Sequence, residues 1–460
     1  MGEVELLRKE FFTCRKILCF MVITCFMVHY MIRVNMSIAI VEMVATNNSN
    51  FSAHGPTYQW NEHQRNDILG CFFWGFLLSA IPGGRLSEIY GTKIILGTAM
   101  LISSVLTIVT PLACHLHYYC VVAVRVVLGL ALGVSWPSIP PLALNWVAPA
   151  DTSKFMAHTI ACALGAGLTL PVSGYIIALL MWPSVFYITG AISLVWTAFW
   201  FYLVYDSPEK HPRISSEEKA TVTRETVGLR HSKGEKETPW IKILLSGPVW
   251  AIVVADFCLQ FNTNIILNEL PSYMDRVLHF NIKKNGLLSS LPYFATYLMA
   301  VVFCYIADRW RKSNKFSIVT IRKLFTSISF CIPAVLFLIQ IYWGYDEVVS
   351  VIVFTLSQGF LAASTAGFIS NSMDISPVYS GTIFGLAFTC GASTGYFSSK
   401  LVAVVTSEEV SFQQWRYIFW ILIALDVVGC LFYYIFGSGD IQKWNSVEQN
   451  ETETRELNRK

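Results

Sequence analysis

The 460-residue chain is short of charge: Asp, Glu, Lys and Arg make up 14% of it, where a soluble domain carries about 25%. Such a chain, 54% hydrophobic with a mean hydropathy of +0.52, cannot clothe a globule in polar groups and belongs in a bilayer. The net charge of +3 does not imply nucleic acid. None of the 12 cysteines stands in a CxxC pair or at Cys/His ligand spacing, so they read as small core residues and no metal site follows. No Ser/His/Asp, zinc or paired-carboxylate constellation is present, so no enzyme is expected and nothing calls for a cofactor. Leu6 stands where a myristoylation motif needs Ser or Thr, so no lipid anchor is indicated.

What the chain has is apolar runs. Each is near the roughly 20 residues a spanning helix needs. They lie at 17–44, 67–83, 94–114, 119–143, 155–180, 183–205, 247–271, 287–307, 321–343, 348–370, 380–405 and 416–437. The first is too long for a signal peptide's apolar core. The reading is an all-α membrane protein: a cytoplasmic N-terminus (1–16), an N-terminal six-helix bundle (17–205), a cytoplasmic linker (206–246), a C-terminal six-helix bundle (247–437) and a cytoplasmic tail (438–460). The orientation rests on Lys and Arg, about 25 of which fall in the segments assigned to the cytosol. The mixed charges of the linker read as a solvated tether. The loop after the first run then faces outside or a lumen, where Asn47 and Asn50 begin two N-glycosylation sequons. Trp60, Trp136, Trp146, Trp182 and Trp240 fall near predicted helix ends, where interfacial aromatics are expected. Cys114 and Cys120 flank an external turn and are close enough in sequence for a disulfide.

Two junctions carry most of the remaining charge. Gly84-Arg85-Leu86-Ser87-Glu88-Ile89-Tyr90-Gly91-Thr92-Lys93 follows the second run, and Ala307-Asp308-Arg309-Trp310-Arg311-Lys312 follows the eighth. A motif repeated in both halves is what a transporter built from two repeats leaves behind. In the first copy the glycines permit a tight turn and close helix approach, while Glu88 can meet a base or the positive end of a neighbouring helix. Gly84, Glu88, Gly91, Lys93, Asp308 and Arg309 are therefore the candidates for a conformational latch. The pairs Gly129/Gly133, Gly381/Gly385 and Gly391/Gly395 suit close helix packing.

The first junction resembles the loop between helices 2 and 3 of the major facilitator superfamily, with Glu88 where that motif usually has Asp. A narrower resemblance covers almost the full chain. Arg33-Val34-Asn35-Met36-Ser37, Phe73-Trp74-Gly75, Ile81-Pro82-Gly83-Gly84, Asn145-Trp146-Val147-Ala148-Pro149, Leu270-Pro271-Ser272-Tyr273, Arg322-Lys323-Leu324-Phe325, Asn371 with Asp374, Trp415-Arg416 and Gly439-Asp440-Ile441-Gln442-Lys443-Trp444 are together similar to the anion:cation symporters, the group of sialin, the vesicular glutamate transporters and the sodium/phosphate type. The resemblance implies twelve helices in two six-helix bundles, with an anion bound between them and exposed alternately to each side.

An anion in hydrocarbon needs a buried positive partner, where an unpaired charge costs about 2.5 to 3.5 kcal/mol or more. Arg33 lies well inside the first run, with His29 one turn before it and Asn35 and Ser37 after it. The resemblance associates this arginine with substrate. Arg33, His29, Asn35 and Arg125 are the candidate substrate-binding residues. The chain departs from the family at Leu132, where proton-coupled members carry Glu. It departs also at Leu69 and Leu259, where glutamate transporters carry His and Arg. Asp256 in the seventh run is the remaining acid placed to neutralise Arg33 or couple an ion.

The expected function is secondary active transport of phosphate or small carboxylates, coupled to a cation, with sodium favoured over protons. An anion uniporter and a non-transporting sensor are the alternatives. The expected partners are a small anion, a coupling cation and the lipid bilayer, for a monomer in the plasma membrane or in an endolysosomal or vesicular membrane.

Overall fold

The computed structural model describes residues 13–43, 56–60, 62–226, 238–278, 288, 290–405 and 411–445. Seventeen helices are used below. The N-terminal half holds α1 (Cys14–Met43), α2 (Glu62–Tyr90), α3 (Thr92–Leu116), α4 (Tyr118–Gly133), α5 (Ile139–Trp146), α6 (Thr152–Ala157), α7 (Cys162–Leu180) and α8 (Trp182–Leu203). The linker contributes α9 (Ser216–Glu225) and α10 (Trp240–Leu244). The C-terminal half holds α11 (Gly247–Arg276), α12 (Leu291–Ser313), α13 (Ile318–Trp343), α14 (Glu347–Leu361), α15 (Phe368–Ile375), α16 (Ser380–Val405) and α17 (Phe412–Phe436).

These helices make twelve spans among the described residues. Ten segments are both long and apolar enough to cross a membrane. Span four is α4 continued by α5 across a turn at 134–138, and span eleven is α16. Span ten breaks at the matching place in the other half, between α14 and α15. Each half carries its own apolar core, one around Phe26, Phe76, Trp146 and Trp200, the other around Ile252, Phe330, Phe368 and Tyr433. Glycine lets the spans meet closely. A methyl group at Gly75 or Gly129 would overlap the backbone of the facing helix in the α2/α4 pair, and Gly381 and Gly385 bring α16 equally close to the N-terminal half. Gly395 has only side chains beyond 3.7 Å, so it is not a tight crossing.

The basic segments gather on one face, called the basic face here, and several expectations change there. Residues 84–90 are helical, not a turn: α2 runs on to Tyr90. The reversal into α3 is made by Gly91 alone, at φ 96°, a region costly to residues with a Cβ. One free amide of α3's first turn is met by Asp206, whose Oδ1 accepts from the Lys93 N–H at 2.8 Å. The linker is more than a tether. Glu218 of α9 accepts from the main-chain N–H groups of Cys14 at 3.0 Å and Arg15 at 2.9 Å, capping α1, and Arg15 pairs with Glu225 at 2.5 Å.

Two of the tryptophans also differ from expectation. Trp146 and Trp182 are 1% and 0% exposed, donating to the carbonyls of Tyr205 and Pro56, because an indole N–H buried in hydrocarbon needs an acceptor. Cys114 and Cys120 are free thiols. Asn47 and Asn50 lie outside the described residues.

Replacing Gly91 by Ala would strain the αL-side backbone and press a methyl onto the Asp206 carboxylate. The expected loss is about 1 to 2 kcal/mol, read as a lower midpoint in thermal unfolding of the detergent-solubilised protein. An unchanged midpoint would mean that this turn is not under the constraint described.

Candidate functional site

Arg33 is half-buried in α1. Its guanidinium lies 5.0 Å from the Tyr30 ring centroid, 5.1 Å from Phe73, 5.7 Å from Phe72 and 5.9 Å from Phe76. It donates to the Tyr30 hydroxyl at 3.1 Å. Arg125, 3% exposed, approaches the same Phe72 ring at 5.1 Å and donates through Nε to the Ile68 carbonyl at 3.3 Å. Two arginines thus converge on one ring, and among the described residues neither has a carboxylate partner. Ring faces return about 0.5 to 2 kcal/mol each at best. They ease burial of the charge but do not neutralise it, which leaves the pair a candidate site for an anion.

The other candidates divide. His29 is fully buried; its Nε2 lies 3.2 Å from the Leu132 carbonyl, joining α1 to α4. Asn35 does not face the arginines: it donates to Thr189 Oγ1 of α8 at 3.1 Å, fastening the first and sixth spans. Asp256 is 6% exposed with Oδ2 unpartnered among the described residues. It does not neutralise Arg33, for its carboxylate sits against Gly391 of α16. Asp426 is fully buried in α17 and accepts from Asn262 Nδ2 at 2.9 Å.

Towards the basic face the gap between the halves is closed by rings. Trp136, in the break of span four, stacks on Phe388 of α16 at 5.5 Å and 24° and meets Phe26 at 4.6 Å, while Phe76 meets Phe388 at 5.5 Å. The turn that breaks the span is what sends this indole inward rather than to the bilayer surface.

Beyond the rings, each half caps a helix of the other. Glu88, at the end of α2, accepts from the Thr382 N–H at 2.7 Å and its hydroxyl at 2.8 Å, and Arg85 holds the same carboxylate at 3.1 Å. Gly84 lies against Gly381, with no room for a side chain. In the second half Asp308, fully buried at the end of α12, accepts from the Lys154 N–H of α6 at 2.8 Å. A carboxylate at a helix N-terminus satisfies free N–H groups and meets the positive end of the dipole.

Glu88 thus meets both a base and the start of a neighbouring helix, the two kinds of partner expected of it; the other junction residues divide. Gly91 and Lys93 serve the turn within the N-terminal half. Arg309 is exposed, and Arg311 takes its expected place, bonding Thr152 Oγ1 at 3.2 Å and Asp374 at 3.0 Å. Arg322, 2% exposed, pairs with Asp374 at 2.7 Å and donates to Ser153 Oγ at 2.8 Å across the interface. Lys312 adds an exposed bridge to Asp151 at 2.6 Å. Arg322 and Asp374 were visible in the sequence as part of a resemblance, but only the fold reveals them as the core of this contact. A cavity of about 130 Å³ adjoins it, lined by Thr152, Arg311, Asp374 and Ile441 among others.

A profile of the Major Facilitator Superfamily matches residues 18–399. Human sialin is 33% identical over 440 residues, 91% of this chain and 88% of that protein. Human vesicular glutamate transporter 2 is 32% identical over 439 residues, covering 93% of this chain and 75% of its own length. Among solved structures, the proton:xylose symporter XylE bound to 6-bromo-6-deoxy-D-glucose aligns over 94% of this chain and 98% of its own with a TM-score of 0.68 at 16% identity. The transporter FucP in the outward conformation aligns over 91% and 99% with a TM-score of 0.66 at 13% identity. At such identities the two structures speak for the fold.

Asp308→Asn keeps a carbonyl acceptor but loses its charge, and Asp308→Ala loses both. Amide exchange in residues 152–157 should rise about fivefold in the alanine variant, as expected for one lost hydrogen bond, and less in the asparagine variant. Equal protection in all three proteins would remove the cap from the latch.

Proposed function

The chain belongs to the Major Facilitator Superfamily, within its anion:cation symporter group, and from that premise we propose that it carries small organic anions by alternating access, coupled to a cation. It is a multi-pass membrane transporter and not an enzyme. The carrying observation is Arg33: a half-buried guanidinium set among rings with no carboxylate of its own among the described residues. A charge left uncompensated at that depth costs about 2.5 to 3.5 kcal/mol, and an arriving anion recovers it. Arg125, 5.1 Å from the centroid of the same Phe72 ring, adds to the positive field there. The ring-lined surroundings suit a carboxylate with an apolar body better than phosphate, whose oxygens ask for more donors.

The positions agree with a transport cycle. Arg33 lies nearly 20 residues beyond the cytosolic start of α1, and Arg125 two turns from the outer start of α4, so both stand in the outer half of the bilayer. The ring plug and the two cross-half caps lie between them and the cytosol. This is the arrangement of a carrier closed to the cytosol, and breaking Glu88–Thr382 and Asp308–Lys154 is the step that opens it. Glu88, Gly84 and Asp308 are therefore latch residues.

Sodium is favoured over protons as the coupling ion, since Leu132 places no acid in the fourth span. Asp256, a buried carboxylate without a basic partner among the described residues, is the candidate that feels the coupling ion. The plasma membrane is the favoured location, with endolysosomal or vesicular membranes as the other choice.

The test is uptake into proteoliposomes of labelled phosphate, urate, glutamate, sialic acid and aromatic carboxylates, with sodium and proton gradients imposed separately. Sodium-driven uptake of a carboxylate should fall at least about thirtyfold in Arg33→Ala, the scale of a lost charged partner. Arg33→Lys should lie between, because it keeps the charge without the fork. Flux indifferent to both substitutions would refute the site. Proton-driven uptake would overturn the sodium preference, flux following the anion gradient alone would indicate a uniporter, and no flux of any anion would favour a sensor.

A further inference from the structure

The closing motif Gly439-Asp440-Ile441-Gln442-Lys443-Trp444, followed by Asn445, has no part in the anion site, yet it does not trail into solvent. After α17 the chain turns back across the cytosolic face of its own half. Asn371 Nδ2 donates to the Ser438 carbonyl at 2.9 Å, and the Gln442 N–H donates to the Ile375 carbonyl at 2.9 Å. A 3-10 turn, Lys443–Asn445, then carries Asn445 inward, where it is 4% exposed. Its Oδ1 accepts twice, from Ser376 Oγ at 2.7 Å and from the Val378 N–H at 3.2 Å.

Those two donors belong to the turn that joins α15 to α16. The same Ser376 Oγ accepts from the Tyr379 N–H at 3.3 Å. Tyr379, 2% exposed, has Trp444 of the tail 6.3 Å away on one side and the guanidinium of Arg85 at 5.5 Å on another. Three residues later the Thr382 N–H and hydroxyl meet Glu88. The direction in which the first turn of α16 presents that N–H is set by the turn before it, and one buried side-chain oxygen of the tail holds that turn.

We propose that Asn445 is a positioning residue of the cytosolic latch: by fixing Ser376 and Val378 it aims the start of α16 at Glu88 of the opposite half. The tail thereby acts on a contact that it does not touch. The proposal rests on the alternating-access reading of that contact, but its test needs no substrate.

The experiment is hydrogen–deuterium exchange on the full chain in lipid nanodiscs, read in two segments. Residues 376–380 report the turn itself. Residues 84–92 belong to the other half and have no bond to the tail among those above, so a merely local effect would leave them unmoved. Asn445→Ala should speed exchange in 84–92 about fivefold, the scale of one lost hydrogen bond. Asn445→Asp keeps an acceptor oxygen and should stay close to the parent.

In a Glu88→Ala background, Asn445→Ala should add nothing further in 84–92, since the route between the two is already cut. Faster exchange confined to 376–380, additive effects with Glu88→Ala, or an aspartate as damaging as the alanine would each overturn the proposal. Should Asn445→Ala fail to fold, Ser376→Ala removes the donor to Asn445 together with the acceptor for the Tyr379 N–H and is read in the same two segments, with an unmoved 84–92 again counting against. A protein that passes these tests but transports none of the anions would retain the positioning role while losing the transport reading.

Discussion

A carboxylate at the end of one helix accepting the first N–H groups of a helix in the other half is the contact on which this architecture depends. It occurs twice, as Glu88 on α16 and as Asp308 on α6. Neither is simply an ion pair. A helix start has several N–H groups without partners inside the helix, and in a tight interface between two bundles water reaches them poorly. The carboxylate satisfies what the fold leaves open, and it does so from across the boundary between the halves. Such a bond is strong while the interface is dry and is readily exchanged for water when the halves part. The buried Arg322–Asp374 pair, reaching Ser153, adds a charged contact whose partners would be costly to strand singly, about 3 to 5 kcal/mol.

The same logic runs in the opposite sense at Arg33. There the fold supplies a charge and, among the described residues, no counter-charge, offering ring faces instead. The rings between Arg33 and the caps separate the two regions, joining them through packed aromatic contacts such as Trp136 on Phe388. In the proposed transport cycle those rings would part along with the caps.

Much of this was legible in the sequence, because spans are written in composition: a run of apolar residues near membrane length can hardly be anything else. The junction charges were legible too, since acids and bases at helix ends stand out against an apolar background. What the sequence does not write is the partner. Glu88 was readable as a latch residue, but Thr382 is an ordinary threonine nearly three hundred positions away. Arg309 and Arg311 are equivalent as letters, and only helical phase puts Arg311 at the interface. Asn35 shares the polar stripe of Arg33 in sequence but turns to Thr189. Trp136 and Trp146 lie near helix ends, as interfacial tryptophans do, yet the break in span four turns that end into the interior. Linker charges that read as solvated include Glu218, whose role depends on an N-terminus distant in sequence.

His29 reaches the fourth span through the carbonyl of Leu132, not through its side chain. A bond to the main chain is indifferent to which residue occupies the position, so this tie between the first and fourth spans would survive a change at 132. The side chain itself is another matter: it is fully buried in the N-terminal core, and an acid in its place would strand a carboxylate among apolar groups unless a partner came with it. What a substitution at 132 must satisfy is therefore packing and solvation, not the tie between the helices.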